Sequence, residues 1–338
     1  MSLDINYRIG ACIAAAVALL ALAAPGAMAA ASASQKAGAA SESLAALEVR
    51  ANRHFRQGRY AEAEPLYRRI FETRERALGA DDPQTLAAIN NLANLYFRQG
   101  RFAEAEPLLL RTLAARERSS GHDAPETLNS INSLASVYTD QGRYAEAEPL
   151  LARVLEERRR TIGPNHTDTL LTANNLGSVY DRQGRFDEAE ALFLQALDGL
   201  VRGTGRHSRY TSAARNNLAL LYYRQARYAE AEPLFLENIE AQRITNRPNH
   251  SLTFASFNNL AALYREMRRY DEAETYSRRA LERTRANLGG AHPFSLRSAN
   301  THIGILLEAD RGEEAIGAAR AMVSSLRRQR DAGGFAGR

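Results

Sequence analysis

The side chains in this sequence best suited to specific chemistry are asparagine amides that return at a fixed spacing of 42 residues. An amide both donates and accepts hydrogen bonds, so a row of amides could satisfy the N–H and C=O groups of an extended main chain. One series comprises Asn90, Asn132, Asn174, Asn216, Asn258 and Asn300. In most repeats a second asparagine follows directly, at Asn91, Asn175, Asn217 and Asn259. This pattern indicates reversible binding and not bond making.

Residue types that catalyse reactions or bind metals do not cluster in the sequence. The histidines of the predicted loops, His122, His166, His207, His250 and His292, fall one to a repeat. Metal ligation needs several donors within about 2 Å of one ion, so these histidines are too far apart to share one. Cys12 is the single cysteine, no phosphate loop or nucleophile elbow is present, and the E-A-E glutamates are expected to be solvated. The sequence predicts no enzyme, no cofactor and no metal site.

Repeated helix pairs must position the amides. The phrase G-R-[YF]-[AD]-E-A-E begins at Gly58, Gly100, Gly142 and Gly184, continues in altered form at Ala226 and Arg268, and ends in a worn copy at Asp310. A fixed period of this length is typical of stacked supersecondary units. In residues 82–121, apolar spacing predicts a first helix that starts at Asp82-Pro83 and stops at Gly100, and a second from about 103 to 118. The prediction is an all-α solenoid of antiparallel helix pairs over residues 43–325, with about six full units and degraded caps.

The spacing within a unit resembles the tetratricopeptide repeat. With Leu92 counted as position 7, the small residue Ala93 is position 8, Tyr96 is position 11 and Ala105 is position 20. The 42-residue period and the phrases N-N-L-A-x-L-Y, Q-G-R-[YF]-x-E-A-E-P-L and L-G-x-x-[DH]-P are similar to the kinesin-light-chain type of this repeat. The resemblance implies a right-handed superhelix whose first helices line a concave groove. It also implies peptide contact from position 6, which is Asn91, Asn175, Asn217 and Asn259.

Helix geometry separates a core stripe from a groove stripe. At 100° per residue, positions 2, 5, 6, 9, 12 and 13 of the first helix lie opposite the core positions. Positions 12 and 13 vary between units: Phe97 and Tyr223 could pack apolar side chains of a ligand, and Arg98, Arg182, Arg224 and Arg265 could pair with its carboxylates. Two alternatives stay open. The amides could instead join neighbouring repeats, and the variable residues could form a solvated helix face.

The terminal segments carry a different composition. Residues 1–29 have Arg8, an apolar run over 9–24 and Ala27-Met28-Ala29, the layout of a cleaved signal peptide. The run is shorter than the roughly 20 residues that span a bilayer. We therefore expect a periplasmic protein without stable membrane insertion, the alternative being an uncleaved anchor. Residues 30–42 are predicted to be a flexible linker and 326–338 a basic disordered tail.

The charge and the repeat pattern together limit the range of functions that the sequence predicts. The net charge is +5, but arginine alternates with glutamate along the repeats, so no continuous basic stripe for nucleic acid is expected. The function predicted is a non-enzymatic adaptor that binds an extended peptide segment of a partner protein in the groove. The alternative is a structural or self-assembling envelope scaffold that uses convex or end-to-end contacts, so self-association is possible.

Overall fold

The computed structural model describes residues 43–245 and 251–334, and these residues form fourteen helices without a strand. The first seven are α1 Leu44–Arg56, α2 Tyr60–Leu78, α3 Pro83–Arg98, α4 Phe102–Ser120, α5 Pro125–Asp140, α6 Tyr144–Thr161 and α7 Thr167–Arg182. The others are α8 Phe186–Thr204, α9 Arg209–Arg224, α10 Tyr228–Ile244, α11 Ser251–Glu266, α12 Tyr270–Leu288, α13 Pro293–Glu308 and α14 Gly312–Gly334. The predicted signal peptide and linker lie outside the described residues.

Odd-numbered helices are the first helices of the repeats, and even-numbered helices are the second. Each helix packs against the next in chain order, and short turns such as residues 99–101 make the two helices of a pair antiparallel. The core positions Leu92, Ala93, Tyr96 and Ala105 are all buried. The predicted all-α repeat solenoid is confirmed.

First helices lie on the inner side of the stack. Direct contacts join α5 to α7, α7 to α9, α9 to α11 and α11 to α13, whereas the described second helices make no comparable contact with one another. Helices on the inside of a curve must lie closer together than those on the outside. The α3–α5 junction shows no first-helix contact of this extent.

The turn between the two helices of a pair needs a residue with positive φ. Glycine takes this conformation at φ 73° in Gly100 and at equivalent positions of the early repeats. In the last three repeats the same position is occupied by Ala226, Arg268 and Asp310, each with φ 58°. A side chain in the left-handed region costs about 1–2 kcal/mol, so these three turns are less favourable than the earlier ones.

An ion-pair ladder links successive repeats on the side of these turns. Arg143 Nη1 lies 2.8 Å from Glu106 of the preceding repeat, Arg143 Nη2 lies 2.6 Å from Glu146, and the guanidinium lies 4.0 Å from the Tyr138 ring centroid. The hydrogen bond from Arg143 holds the pKa of Glu106 below its usual value. The same arrangement recurs at Arg101, Arg185, Arg227 and Arg269. The expectation that the E-A-E glutamates are simply solvated is therefore wrong for the second glutamate of each of these phrases.

The C-terminal unit departs from the repeat pattern in two ways. Helix α14 extends to Gly334, so residues 326–334 are helical and the boundary predicted at residue 325 for a disordered tail is wrong for them. His302 takes the buried position that is leucine in the full repeats and is 8% exposed. Its Nδ1 lies 2.8 Å from Ser277 Oγ. Burial lowers the pKa of His302. Glu274 opposes this shift, whereas Arg278, Arg285 and Arg311 add to it.

We expect the C-terminal repeat to lose stability as the pH falls from 7.5 to 5.5. Because the folded-state pKa of His302 lies below the ordinary value of 6.5, the unfolded state takes up the proton first. The contribution is complete above 6.5 and is lost between 6.5 and the lower folded pKa, by at most about 1.4 kcal/mol per pH unit. His302→Leu should reduce this slope, leaving the part due to His292, whose pKa burial also lowers, and raise stability at pH 5.5, as measured by hydrogen exchange of α13 and α14. An equal slope in both proteins would contradict the assignment.

Candidate functional site

Asparagine amides on the inner face form hydrogen bonds from one repeat to the next. At three junctions the position-6 amide nitrogen donates to the position-5 amide oxygen of the preceding repeat. These bonds are Asn175 Nδ2 to Asn132 Oδ1 at 3.2 Å, Asn217 Nδ2 to Asn174 Oδ1 at 3.1 Å, and Asn259 Nδ2 to Asn216 Oδ1 at 3.1 Å. We call these three bonds the amide ladder. It covers α5 to α11 and corresponds to the alternative in which the amides join repeats.

The amide ladder is interrupted at both ends because position 6 is no longer asparagine. In α5 this position is Ser133, whose hydroxyl donates to Asn129 O of its own helix at 3.0 Å. In α13 it is Thr301, which donates to Arg297 O at 3.1 Å. The position-5 residue Asn258 instead donates to Ser298 Oγ at 2.9 Å.

Asn90 and Asn91 on α3 lie outside the amide ladder. With its amide oriented to accept, Asn90 Oδ1 lies 3.0 and 3.1 Å from Arg116 Nη1 and Nη2. Asn91 is exposed and forms no hydrogen bond with its side chain among the described residues. The amide of Asn91 is therefore available to a ligand without the loss of an internal bond.

An open depression lies at the interrupted junction between α3 and α5. Its volume is ≈ 290 Å³. The lining residues are Asn90, Asn91, Ala93, Asn94, Phe97, Leu109, Asn132, Ser133, Ser136 and Val137. Phe97 is half-buried in its wall and packs against Phe102 with ring centroids 5.8 Å apart. The site thus combines amides with one aromatic surface.

Charged residues of position 13 extend from the depression along the inner face. Arg98 on α3 and Arg182 on α7 are exposed, and Asp140 on α5 lies within electrostatic range of both. Neither arginine forms an ion pair within the part of the chain that the structure describes. Both guanidinium groups can therefore reach a carboxylate of a ligand.

The predicted cations in the C-terminal half already have partners in this chain. Arg224 forms a two-pronged ion pair with the buried Asp181 of the preceding repeat, with Nε 3.0 Å from Oδ1. Burial raises the pKa of Asp181, although the Arg224 guanidinium opposes this effect. Arg265 lies 3.1 Å from Glu266 and 3.6 Å from Glu308. These arginines stabilise the stack, contrary to a simple role as free groove cations.

The second predicted groove aromatic is in the same register as Phe97. Tyr223 is half-buried and packs on Tyr228 with ring centroids 5.9 Å apart. It lies on α9, where the amide ladder is intact on both sides. The structure therefore brings together Asn90, Asn91, Asn132 and Phe97 and leaves Tyr223 apart from them.

One buried charge has no counterpart in the sequence prediction. Arg215 occupies position 4 of α9, a core position, and is 2% exposed. It donates to Asn238 Oδ1 at 3.1 Å and to Arg206 O at 3.0 Å, and its Nε lies 3.0 Å from Glu237. Burial lowers the pKa of Arg215. The signal available in the sequence was an arginine where the second and third repeats carry isoleucine.

The described residues show neither a metal cluster nor a membrane-spanning helix. They contain no group of three or more His, Cys, Asp or Glu side chains placed to hold a metal ion. His166 and His292 accept hydrogen bonds from Asp168 N and Phe294 N, which makes them helix N-caps. None of the described helices is both long and apolar enough to cross a bilayer.

Comparisons with known proteins support the repeat architecture. A family model described as tetratricopeptide repeat matches residues 42–118, 84–156, 123–200, 210–286 and 252–321, and a second model so described matches 174–243. BtubC (BKLC) from P. vanneervenii is 22% identical with a TM-score of 0.52, over 71% of this chain and 93% of that chain. NprR in complex with its cognate peptide NprX is 13% identical with a TM-score of 0.57, over 79% and 73%.

A third similar structure is a Podosopora anserina protein described as a kinesin light chain with nearly identical TPR-like repeats. It is 25% identical with a TM-score of 0.49, over 60% of this chain and 96% of that chain. No curated protein matches the chain in sequence.

Proposed function

Because the chain belongs to the tetratricopeptide repeat family, we propose that it is a non-enzymatic adaptor that binds an extended segment of a partner protein on its inner face. Repeat solenoids present extended surfaces of this kind. A solved protein of the same fold, NprR, holds its cognate peptide, so the fold is compatible with a peptide ligand.

The observation that carries this proposal is the depression between α3 and α5. It lies where the amide ladder is interrupted, so the amides that line it form fewer internal hydrogen bonds than the amides of the ladder. Asn132 uses its oxygen for Asn175 and retains its amide hydrogens, and Asn91 retains both groups. Together they offer donors and acceptors to the main chain of an extended segment.

The same surroundings define the side chains that a bound segment would carry. Phe97 offers an aromatic surface to an apolar side chain at the depression. Arg98 and Arg182, without ion-pair partners among the described residues, favour an acidic side chain nearby. The segment proposed is therefore extended, with an apolar residue close to an acidic one.

The proposed place of action is the periplasm. The support is the apolar run over residues 9–24 followed by Ala27-Met28-Ala29, a layout that directs secretion and cleavage. Protease protection of the chain in intact and in osmotically shocked bacterial cells tests this location. Protection in shocked cells would contradict it.

Peptide selection tests the proposed groove. A display library of random peptides about twelve residues long should yield binders of the wild-type chain. Asn91→Ala should weaken the selected peptides about five- to tenfold, since one or two hydrogen bonds are lost. The matched control Asn217→Ala removes a ladder amide of the same register; it should keep the peptide affinity but lower the unfolding free energy by about 1 kcal/mol.

A second matched pair separates ligand contact from packing. Phe97→Ala and Tyr223→Ala remove equivalent aromatic contacts inside their helix pairs, so their structural costs should be similar. Only Phe97→Ala should weaken the peptide, as measured by calorimetric titration. Equal losses in both variants, or a library without binders, would count against a site between α3 and α5.

A further inference from the structure

The C-terminal end of the stack exposes apolar side chains where a following repeat would pack. Ile316 is 52% exposed, Val323 42% and Leu326 41%, all on α14. Leu307 on α13 is 59% exposed. A terminal unit is normally polar on its outer face, so this apolar end needs an explanation.

The three residues on α14 are in the register of side chains that contact the next repeat elsewhere. Val323 corresponds to Leu113, which packs against the buried cluster of Leu128, Ile131 and Val154 in the following repeat. Leu326 corresponds to Arg116, which donates to Ser130 of the next repeat at 2.7 Å. Ile316 stands where every earlier unit carries a glutamate: Glu64, Glu106, Glu148, Glu190, Glu232 and Glu274. The last unit thus exchanges a polar contact for an apolar one at the face that meets a neighbour.

The N-terminal end of the stack is not complementary to this face. Position 10 of later first helices is apolar and fully buried, as in Leu95 and Val137. In α1 the same position is Arg53, which is exposed. In a head-to-tail contact Arg53 would lie against the apolar face. Arg59 would lie opposite Ile316, which replaces the glutamate that forms an ion pair at this position in the earlier repeats. Burying a charge without a partner is costly, so open end-to-end growth is disfavoured.

The pattern along α14 fits a second copy of the same helix. Ile316, Ala319, Val323 and Leu326 follow the alternating three- and four-residue spacing of a coiled-coil seam. Glu313 and Arg327 flank this seam on one side, near opposite ends of the helix, and both are exposed. In an antiparallel pair with Ile316 next to the second copy's Leu326, Glu313 of each copy lies beside the second copy's Arg327. The twofold arrangement thus pairs opposite charges twice.

We propose that the chain forms a closed twofold dimer through antiparallel packing of α14 on α14. The apolar seam supplies the burial and the two Glu313–Arg327 pairs set the direction. A twofold contact uses the same patch on both copies and ends at two. At the centre of the contact Arg320 of one copy would face Arg320 of the other, and this repulsion between like charges limits the affinity. This contact is separate from the inner face, so both functions can operate together.

Sedimentation equilibrium of the full chain over a concentration series tests the dimer. The wild type should fit a monomer–dimer equilibrium, and Val323→Glu should raise the dimer dissociation constant at least tenfold. Leu236→Glu, at an exposed leucine on α10, is the control and should leave the constant unchanged. Far-ultraviolet circular dichroism should show folded protein in both variants.

Charge reversal tests the direction of packing. Glu313→Arg and Arg327→Glu should each weaken the dimer about three- to tenfold, and the double variant should recover most of the loss. A chain that stays monomeric at all concentrations overturns the proposal and favours an occupant within the chain, such as residues 1–42. Growth beyond the dimer, or a dimer unaffected by Val323→Glu, also overturns it. Peptide binding should not change in any of these variants.

Discussion

Replacing Arg215 by alanine is expected to lower the unfolding free energy of the central repeats by about 3–5 kcal/mol. The guanidinium is the largest fully buried side chain described and supplies the hydrogen bond to Asn238, which is itself 1% exposed. Its removal leaves a cavity and an amide oxygen without that donor. Urea unfolding monitored by hydrogen exchange of α9 and α10 measures the loss.

A double replacement distinguishes an unpaired polar group from a lost contact. Arg215→Ile with Asn238→Ala gives the fifth repeat the side chains found elsewhere, since Ile89, Ile131, Ala196 and Ala280 occupy the equivalent positions. Apolar replacement of a buried polar cluster is often neutral or stabilising. The double variant should therefore unfold within about 1 kcal/mol of the wild type. A loss of unfolding free energy as large as that of Arg215→Ala would contradict this expectation and show that the charge itself stabilises the stack.

The helices could be predicted from the sequence because their start and stop signals are local. The Asp82-Pro83 start and the glycine stop at Gly100 depend only on neighbouring residues, and the structure places α3 at Pro83–Arg98. Arg215 could not be predicted in the same way. In the second and third repeats a second-helix arginine, Arg116 or Arg158, reaches the next first helix, but the fourth repeat carries Leu200 there. In the fifth repeat the buried arginine, Arg215, comes from the first helix α9 and not from a second helix. Only the tertiary packing shows this difference.

The sequence predicted which residues lie on the inner face but not which amides form hydrogen bonds with one another. Helical spacing places Asn174 and Asn175 on one side of α7, yet it does not say that Asn175 bonds backwards to Asn132 and Asn174 forwards to Asn217. Those bonds depend on the distance between repeats, which sequence spacing does not define. Ser133 is the one visible signal, because it breaks the row of asparagines where the depression lies.

Ser133→Asn is expected to weaken peptide binding about ten- to a hundredfold while it stabilises the fold. The introduced amide would extend the amide ladder to Asn90; because Asn90 Oδ1 already accepts from Arg116, the new bond would run from Asn90 Nδ2 to the introduced amide oxygen. One additional hydrogen bond contributes about 0.5–1.5 kcal/mol to the unfolding free energy. The longer side chain also occupies the depression, so the bound segment loses both space and partners. Calorimetric titration with a selected peptide and urea unfolding measure the two effects.

Thr301→Asn is the matched control at the opposite end of the amide ladder. Asn258 Oδ1 is buried without a hydrogen-bond partner among the described residues, and Thr301 is too short to reach it in the manner of the ladder asparagines. The longer amide should satisfy this oxygen and stabilise the C-terminal repeats by about 1–3 kcal/mol, with no change in peptide affinity. If both variants weaken the peptide equally, the effect comes from a stiffer stack. If only Ser133→Asn does so, the segment binds between α3 and α5.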